Sequence, residues 1–379
     1  MAQQLKTDWY LFGTTIALVA FGVVMLYSAS SVIATDKFGS PWHYVIRQAV
    51  WMIPSLIVMM LLKRTYYRNL QHPAVAFAAI GLVLMLLLAV YFVDGAHHRW
   101  LRLGPVGLQP SELAKPALVI FVAFFVTWRA RAINNRYTLL PAVLSVGLVI
   151  VAVVVADLGT AVVLAITAAA VFFAAGLNWR FCVIAVVCAA LGMGIAIASQ
   201  PYRLARVVAF FDHDFKIVGR FDPQGHVKQY LQKSLTSRDT GYQGQQSKIA
   251  VGSGGPMGAG LMQGRQRLRF LPEAHTDFIY AIVSEEMGLL GSVGVLVGFG
   301  LIFWRGLRAA IRMPDDFGRY LALGIATMVV VQALMNISVV LGMMPTKGIP
   351  LPLISSGGSS LLSTLASLGI LMNVSEHAG

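Results

Sequence analysis

Ten apolar stretches, most of them near the length needed to cross a bilayer, dominate this chain. They fall near residues 9–31, 46–62, 73–93, 111–128, 139–156, 159–177, 181–199, 277–304, 320–342 and 353–373. A helix needs about 20 apolar residues to span the hydrocarbon core. Only Ala156-Asp157-Leu158-Gly159 separates the fifth stretch from the sixth. They are read as two helices, because one helix over 139–177 would be about 58 Å long, nearly twice the core thickness. Composition agrees: of 379 residues, 57% are hydrophobic and 12% charged, against roughly 25% charged in a soluble domain. The expected fold is an all-α polytopic membrane protein, one integral-membrane domain over 1–379, with a large loop at about 200–276. Ordinary soluble enzymes and disordered chains are excluded. The first apolar stretch, preceded by Lys6, is longer than a signal-peptide core and is read as an uncleaved first span.

The two cysteines, Cys182 and Cys188, lie about 9 Å apart along one helix, too far for a disulfide. There is no HExxH and no Cys/His cluster.

The net charge of +13 divides unevenly. Twelve basic residues lie at one set of helix ends: Lys6, Lys63, Arg64, Arg68, Arg129, Arg131, Arg136, Arg180, Arg305, Arg308, Arg312 and Arg319. The opposite short loops hold five: Lys37, Arg47, Arg99, Arg102 and Lys347. The positive-inside rule makes the first set cytoplasmic, so ten spans put both termini in the cytoplasm and the large loop outside. That loop carries eleven basic residues, among them Arg203 and Arg206. Long loops translocate regardless of charge. Two readings remain for it: an anionic partner such as phosphate, pyrophosphate or lipid headgroups, or a solvated basic loop. No nucleic-acid-binding motif is present.

Ionisable residues near or within spans are functional candidates. Glu112 and Lys115 share a helix face and can pair; they either neutralise each other between helices or line a cavity that touches substrate. Asp157, before Gly159 and Thr160, reads as a helix cap. Asp277 follows His275 and Thr276 where the large loop re-enters the membrane. There it is either a helix-start carboxylate favoured by the dipole or a general base at the water–lipid boundary. Glu285 and Glu286, two turns deeper, are expected to bond to neighbouring helices. Pro345, Pro350 and Pro352 make the segment around Lys347 stiff and non-helical. Ser355 to Ser360 read as a small-residue start of the last helix, suited to close packing. Gly252-Ser253-Gly254-Gly255-Pro256-Met257-Gly258 fails the GxGxxG spacing, lacks GK[ST], and reads as a mobile turn.

Together these residues resemble the SEDS family (shape, elongation, division, sporulation) of bacterial peptidoglycan glycosyltransferases. The resemblance is carried by Phe270-Leu271-Pro272-Glu273-Ala274-His275-Thr276-Asp277-Phe278, Pro345-Thr346-Lys347-Gly348-Ile349-Pro350-Leu351-Pro352, Arg99-Trp100-Leu101-Arg102-Leu103-Gly104, Gln109-Pro110-Ser111-Glu112 and Asp157-Leu158-Gly159-Thr160. The Lys347 run is more similar to division members than to elongation members. Ser356 departs from the aromatic that usually precedes the Gly-Gly pair, and Val155 or Ala156 replaces an acid before the Asp157 turn.

The resemblance implies polymerisation of lipid II, an undecaprenyl pyrophosphate-linked disaccharide-peptide, in the bacterial cytoplasmic membrane at the division septum. It implies as partners a class B penicillin-binding protein (a transpeptidase) and divisome proteins. Asp277 would be catalytic; Lys347, Arg203, Arg102, His275, Glu112, Lys115 and Ser355 are the substrate-binding candidates. No cofactor is certain; a divalent cation, Mg or Mn, is the one candidate. Direct displacement implies inversion at the anomeric carbon. The rival readings are a lipid II flippase, an elongation-type polymerase, and a scaffold in which Asp277 is only a cap.

Overall fold

The structure, a computed structural model, describes residues 7–94, 99–103, 106–212, 241–268, 270–345 and 348–378. Lys347 and much of the large loop lie outside these residues.

All ten apolar stretches form helices. They are α1 (Trp9–Phe38), α2 (His43–Arg64), α3 (Pro73–Val93), α4 (Pro110–Trp128), α5 (Arg136–Ala156), α6 (Leu158–Ala174) and α7 (Trp179–Ala198). Two shorter helices of the large loop follow, α8 (Pro201–Phe211) and α9 (Gly241–Ser253). Then come α10 (Ile279–Arg312), α11 (Asp316–Val340) and α12 (Gly358–His377). Nine of the ten are long and apolar enough to span; α6 is apolar but has 17 residues. The break between α5 and α6 falls at Asp157, whose side chain accepts from the Gly159 and Thr160 amides and so caps α6. A small antiparallel hairpin, β1 (Leu101–Leu103) and β2 (Val106–Leu108), precedes α4.

The core sits on α4, α10, α11 and α12. α4, α11 and α12 keep most of their side chains out of contact with the surroundings and α10 about half, whereas α7 has no buried residue and stands at the edge beside α6 and α8. The α2–α12 contact depends on small residues. A side chain at Gly369 would strike the backbone of Met59, and one at Gly358 the ring of Trp51.

A polar network ties together the ends of α1, α10 and α12 at the termini's end of the bundle. Asp8 accepts from Arg305 Nε at 2.8 Å and Ser375 Oγ at 2.8 Å. Lys63 pairs with Glu376 at 3.1 Å, and Asn373 bonds both Tyr67 N and Lys63 O.

The opposite end carries the loops, and two expectations are corrected there. The last helix begins at Gly358, not near 353. Pro350 and Pro352 cannot continue a helix, Leu353 is in the left-handed region (φ 66°), and the Ser355 hydroxyl accepts from the Leu351 amide at 2.9 Å. The glycine-rich segment is likewise not a mobile turn. Within α10, Gly288 leaves helical geometry (φ 63°, ψ −155°), which frees peptide groups. Residues 255–260 take them up: Ala259 N and Gly260 N donate to the carbonyls of Glu285 and Glu286 at 2.9 Å each. In return, Leu289 N and Leu290 N donate to Gly255 O and Pro256 O at 2.9 and 3.3 Å. Backbones approach this closely only without side chains between them; a Cβ at Gly254 or Gly258 would overlap the carbonyls of Ser284 or Glu286. Glu286 bonds to a neighbouring helix, through Ser28 of α1 at 2.6 and 2.7 Å, and also accepts from Met262 N at 3.1 Å. Glu285 instead holds the loop, accepting from Arg265 N at 2.7 Å and Gln266 N at 3.2 Å.

Gly258→Ala is expected to destabilise the fold by about 1–3 kcal/mol, because Gly258 has φ +82° and no room for a methyl. Gly252→Ala, with open space around it, should change stability by less than about 1 kcal/mol. Thermal unfolding of the detergent-purified variants checks this; equal melting would refute the clamp.

Candidate active site

Asp277 lies one residue before Phe278, the N-cap of α10, and the residue is half-buried. Its position is set by backbone bonds rather than by its own side chain. Its carbonyl accepts from Asn336 Nδ2 of α11 at 2.7 Å. The preceding Thr276 carbonyl accepts from the hydroxyl of Ser355, and the His275 carbonyl accepts from Ser356 N at 3.1 Å. Glu273, in the left-handed region at φ 54°, starts the turn that delivers Asp277.

Facing the carboxylate is Gly348. A Cβ there would come within 2.5 Å of Asp277 Oδ2, so the backbone of the Pro-rich loop forms one wall of the site. Ile349 packs against the start of α6, where a Cβ on Gly159 would meet its side chain at 2.5 Å.

Asp157 completes the polar floor. Its Oδ2 accepts from Thr160 Oγ1 at 2.9 Å and pairs with Arg99 at 3.5 Å. Arg99 is in turn placed by Asp94, whose Oδ2 accepts from the Arg99 and Trp100 amides at 3.0 and 3.1 Å. The Asp277 carboxyl is pushed up from its ordinary value of 3.8 to about 6. Burial is the largest cause, and the Arg99 charge opposes it. Glu273 and Asp157 raise the value further, and Arg206 on α8 lowers it. The result is a carboxylate poised to exchange a proton near neutral pH, with two cations in its field.

The remaining candidates separate into groups. Arg102 is exposed on β1, beside this site in the same hairpin segment. Arg203 gives its guanidinium to three carbonyls, those of Val154 (3.0 Å), Val155 (3.4 Å) and Ala196 (3.3 Å), closing the ends of α5 and α7. His275 is buried with its ring 4.4 Å from that of Tyr44, and burial pushes its imidazole below the ordinary value. Ser355 spends its hydroxyl on backbone, accepting from Leu351 N within its loop and donating to the Thr276 carbonyl beside Asp277. Glu112 and Lys115 are each 1% exposed and paired at 2.6 Å, with Lys115 also donating to Gln332 Oε1 at 2.6 Å. They stand behind the site rather than in it. Lys347 falls outside the described residues.

Arg99, Asp157 and Arg206 belong to the site's charge cluster, where the sequence had offered Asp157 as a helix cap and Arg99 and Arg206 without a site role. Gln332 and Asn336 were missed altogether; two amides four residues apart in an apolar helix were the available signal. Among the described residues no three His, Cys, Asp or Glu side chains group as a metal site would require. Asp157 and Glu273 already serve Thr160 and Thr276. Among the described residues this donor set does not by itself assemble a site for Mg or Mn.

The family model for the FtsW, RodA and SpoVE cell cycle proteins matches residues 8–379. The chain belongs to this family, the one its motifs resemble. It is 38% identical over 377 residues to a probable peptidoglycan glycosyltransferase FtsW of Geobacter metallireducens, covering 98% of this chain and 95% of that one. A second protein of that name, from Thioalkalivibrio sulfidiphilus, is 37% identical, with 99% and 90% covered. Among solved structures, a chain of a peptidoglycan synthase complex that coordinates polymerization and crosslinking superposes with a TM-score of 0.74 at 29% identity, covering 99% of both chains. The rod shape determining protein RodA of Thermus thermophilus superposes at 0.67 and 28%, with 98% and 97% covered. Family and helices together make this a multi-pass membrane protein.

The raised Asp277 carboxyl has a consequence for stability. The folded chain holds a proton that the unfolded chain releases between about pH 4 and pH 6, so this group's contribution falls as pH rises through that window. Asp277→Asn is therefore expected to be more stable than the wild type at pH 7.5, by about 1–2 kcal/mol once the partial exposure of the residue is allowed for. The two should converge near pH 4. Equal melting at both pH values would show an ordinary carboxylate.

Proposed function

We propose that this protein is a peptidoglycan glycosyltransferase that polymerises lipid II at the outer face of the cytoplasmic membrane, in septal wall synthesis during division. The observation that carries the reading is Asp277: a carboxyl pushed up to about 6 by burial, in the field of Arg99 and Arg206, at the loop end of a membrane bundle. Likeness to relatives named FtsW supports the division role, and likeness to a chain of a synthase complex supports a class B penicillin-binding protein as partner.

The chemistry follows from what the residues offer. A sugar hydroxyl of one chain end attacks the anomeric carbon of a pyrophosphate-linked sugar from the face opposite the leaving group. Asp277, ionised, accepts the hydroxyl proton as the new C–O bond forms. The old C–O bond breaks with its electron pair, undecaprenyl pyrophosphate departs, and the anomeric centre inverts. Charge builds on the leaving oxygen, and fixed cations stabilise it. Arg99 and Arg206 are in the field of the site; Arg102 and Lys347 are the further cations we assign to the pyrophosphate. The positive-inside distribution supports termini in the cytoplasm and this site outside. A substrate with a polyprenyl tail explains why the enzyme is built within the bilayer.

The test is polymerisation of lipid II by the chain purified with its cognate class B penicillin-binding protein, read as glycan chain length on gels. Asp277→Asn is expected to lower the rate at least a hundredfold. Chains that persist would remove the base, and translocation of lipid II in vesicles without polymer from the wild type would favour a flippase. Since Arg99 lowers the Asp277 carboxyl, Arg99→Gln should also move the acid limb of the pH–rate profile to higher pH. An unmoved limb would detach Arg99 from the site.

A further inference from the structure

Asp277 and Gly348 come from segments far apart in the chain; Ser355 and Ser356 tie the far end of the Pro-rich loop to the Thr276 and His275 carbonyls, and a pair of buried amides on α11 holds the stretch nearest the carboxylate. Asn336, 1% exposed, uses one nitrogen to donate to Asp277 O at 2.7 Å and to Ile349 O at 2.7 Å. Four residues earlier on the same helix face, Gln332, 3% exposed, donates from Nε2 to Pro350 O at 2.9 Å. Two successive carbonyls of the Pro-rich loop and the backbone of Asp277 therefore hang on one turn of one helix.

The amide of Gln332 has only one usable orientation. Its Oε1 accepts from Lys115 Nζ at 2.6 Å, and an ammonium group can only donate. The NH2 must then face Pro350. Lys115 is held by Glu112 at 2.6 Å, and Ser363 Oγ fixes the Glu112 carbonyl at 2.6 Å. The ion pair thus orients an amide that orients the loop. Asn336 spends its nitrogen fully while its buried Oδ1 has no partner among the described residues. An unpaired buried carbonyl is costly, so the two donations must outweigh it.

We propose that Gln332 and Asn336 are positioning residues for the transfer reaction: they hold the Gly348–Pro350 backbone against the Asp277 carboxylate, and the Glu112–Lys115 pair acts through Gln332. The proposal rests on Asp277 being the base. Neither amide contacts the carboxylate itself, so their effect runs through geometry. A displacement of about 1 Å of a catalytic group costs up to a hundredfold in rate.

The test uses Gln332→Met and Asn336→Leu, neutral replacements of similar volume that leave Arg99, Arg206, Glu273 and Asp157 around Asp277 unaltered. Each variant is assayed with the partner transpeptidase and lipid II for kcat, KM and pH–rate profile. The expected result is a fall in kcat of tenfold or more with KM within about threefold. The acid limb should also move to lower pH, because a carboxylate parted from the Gly348 wall is better hydrated. A mere packing role would lower the yield of active protein without moving the limb. Folded variants with kcat within twofold of wild type, or with reduced kcat and an unmoved limb, would overturn the proposal. Should Asn336→Leu fail to fold, Gln332→Met decides the matter by the same measurements. An Asp277→Asn protein that still polymerises would instead overturn the base assignment, independently of either amide.

Discussion

A bilayer offers no water to an unpaired peptide group, so every irregular backbone at membrane depth must be satisfied by protein. The loop end of this protein is built under that constraint. α10 breaks at Gly288, and the glycine-rich segment at 255–260 supplies the missing donors and acceptors. The same stretch of α10 presents Glu285 and Glu286, whose carboxylates bind amides of residues 262, 265 and 266. The returning end of the large loop is thereby held to the bundle. Asp277 lies at the end of that held segment.

The site combines this anchored approach with a second set of fixed segments. The Asp157 cap, the Arg99 hairpin and the Pro-rich loop each have their own local bonds, and α11 joins the last of these to Asp277. Charge is then the product of placement. Burial pushes the Asp277 carboxyl up, and Arg99 and Arg206 pull it back, leaving it at about 6. Two carboxylates nearby push the other way, so the balance depends on several elements at once.

Much of the fold was legible because a spanning helix needs so long an apolar run that chance and turns rarely imitate it. The split at Asp157 was legible from length alone. Asp277 stood out by its position at a boundary and by its motif. Arg99 stood out as a loop charge and as the first residue of a motif, but nothing in its neighbours announced that Asp94 would fix its backbone. Glu112 and Lys115 showed their pairing at spacing three, yet not that the pair is sealed behind the loop. Gln332 and Asn336 gave no motif, because an amide reveals its role only through the carbonyls it meets.

By itself, then, the sequence determined a polytopic helical bundle, its charge asymmetry and a carboxylate at the re-entry of the large loop. These follow from local quantities: apolar length, charge count and chain order. Tertiary structure decided the rest. Glycines that read as a turn became the complement of a broken helix, because a missing side chain matters only where another backbone arrives. Residues placed together as substrate contacts parted into an exposed arginine, a carbonyl-capping arginine and an enclosed ion pair. Which of these a polar side chain becomes depends on distance and burial, and neither is a property of the residue or its neighbours in the chain.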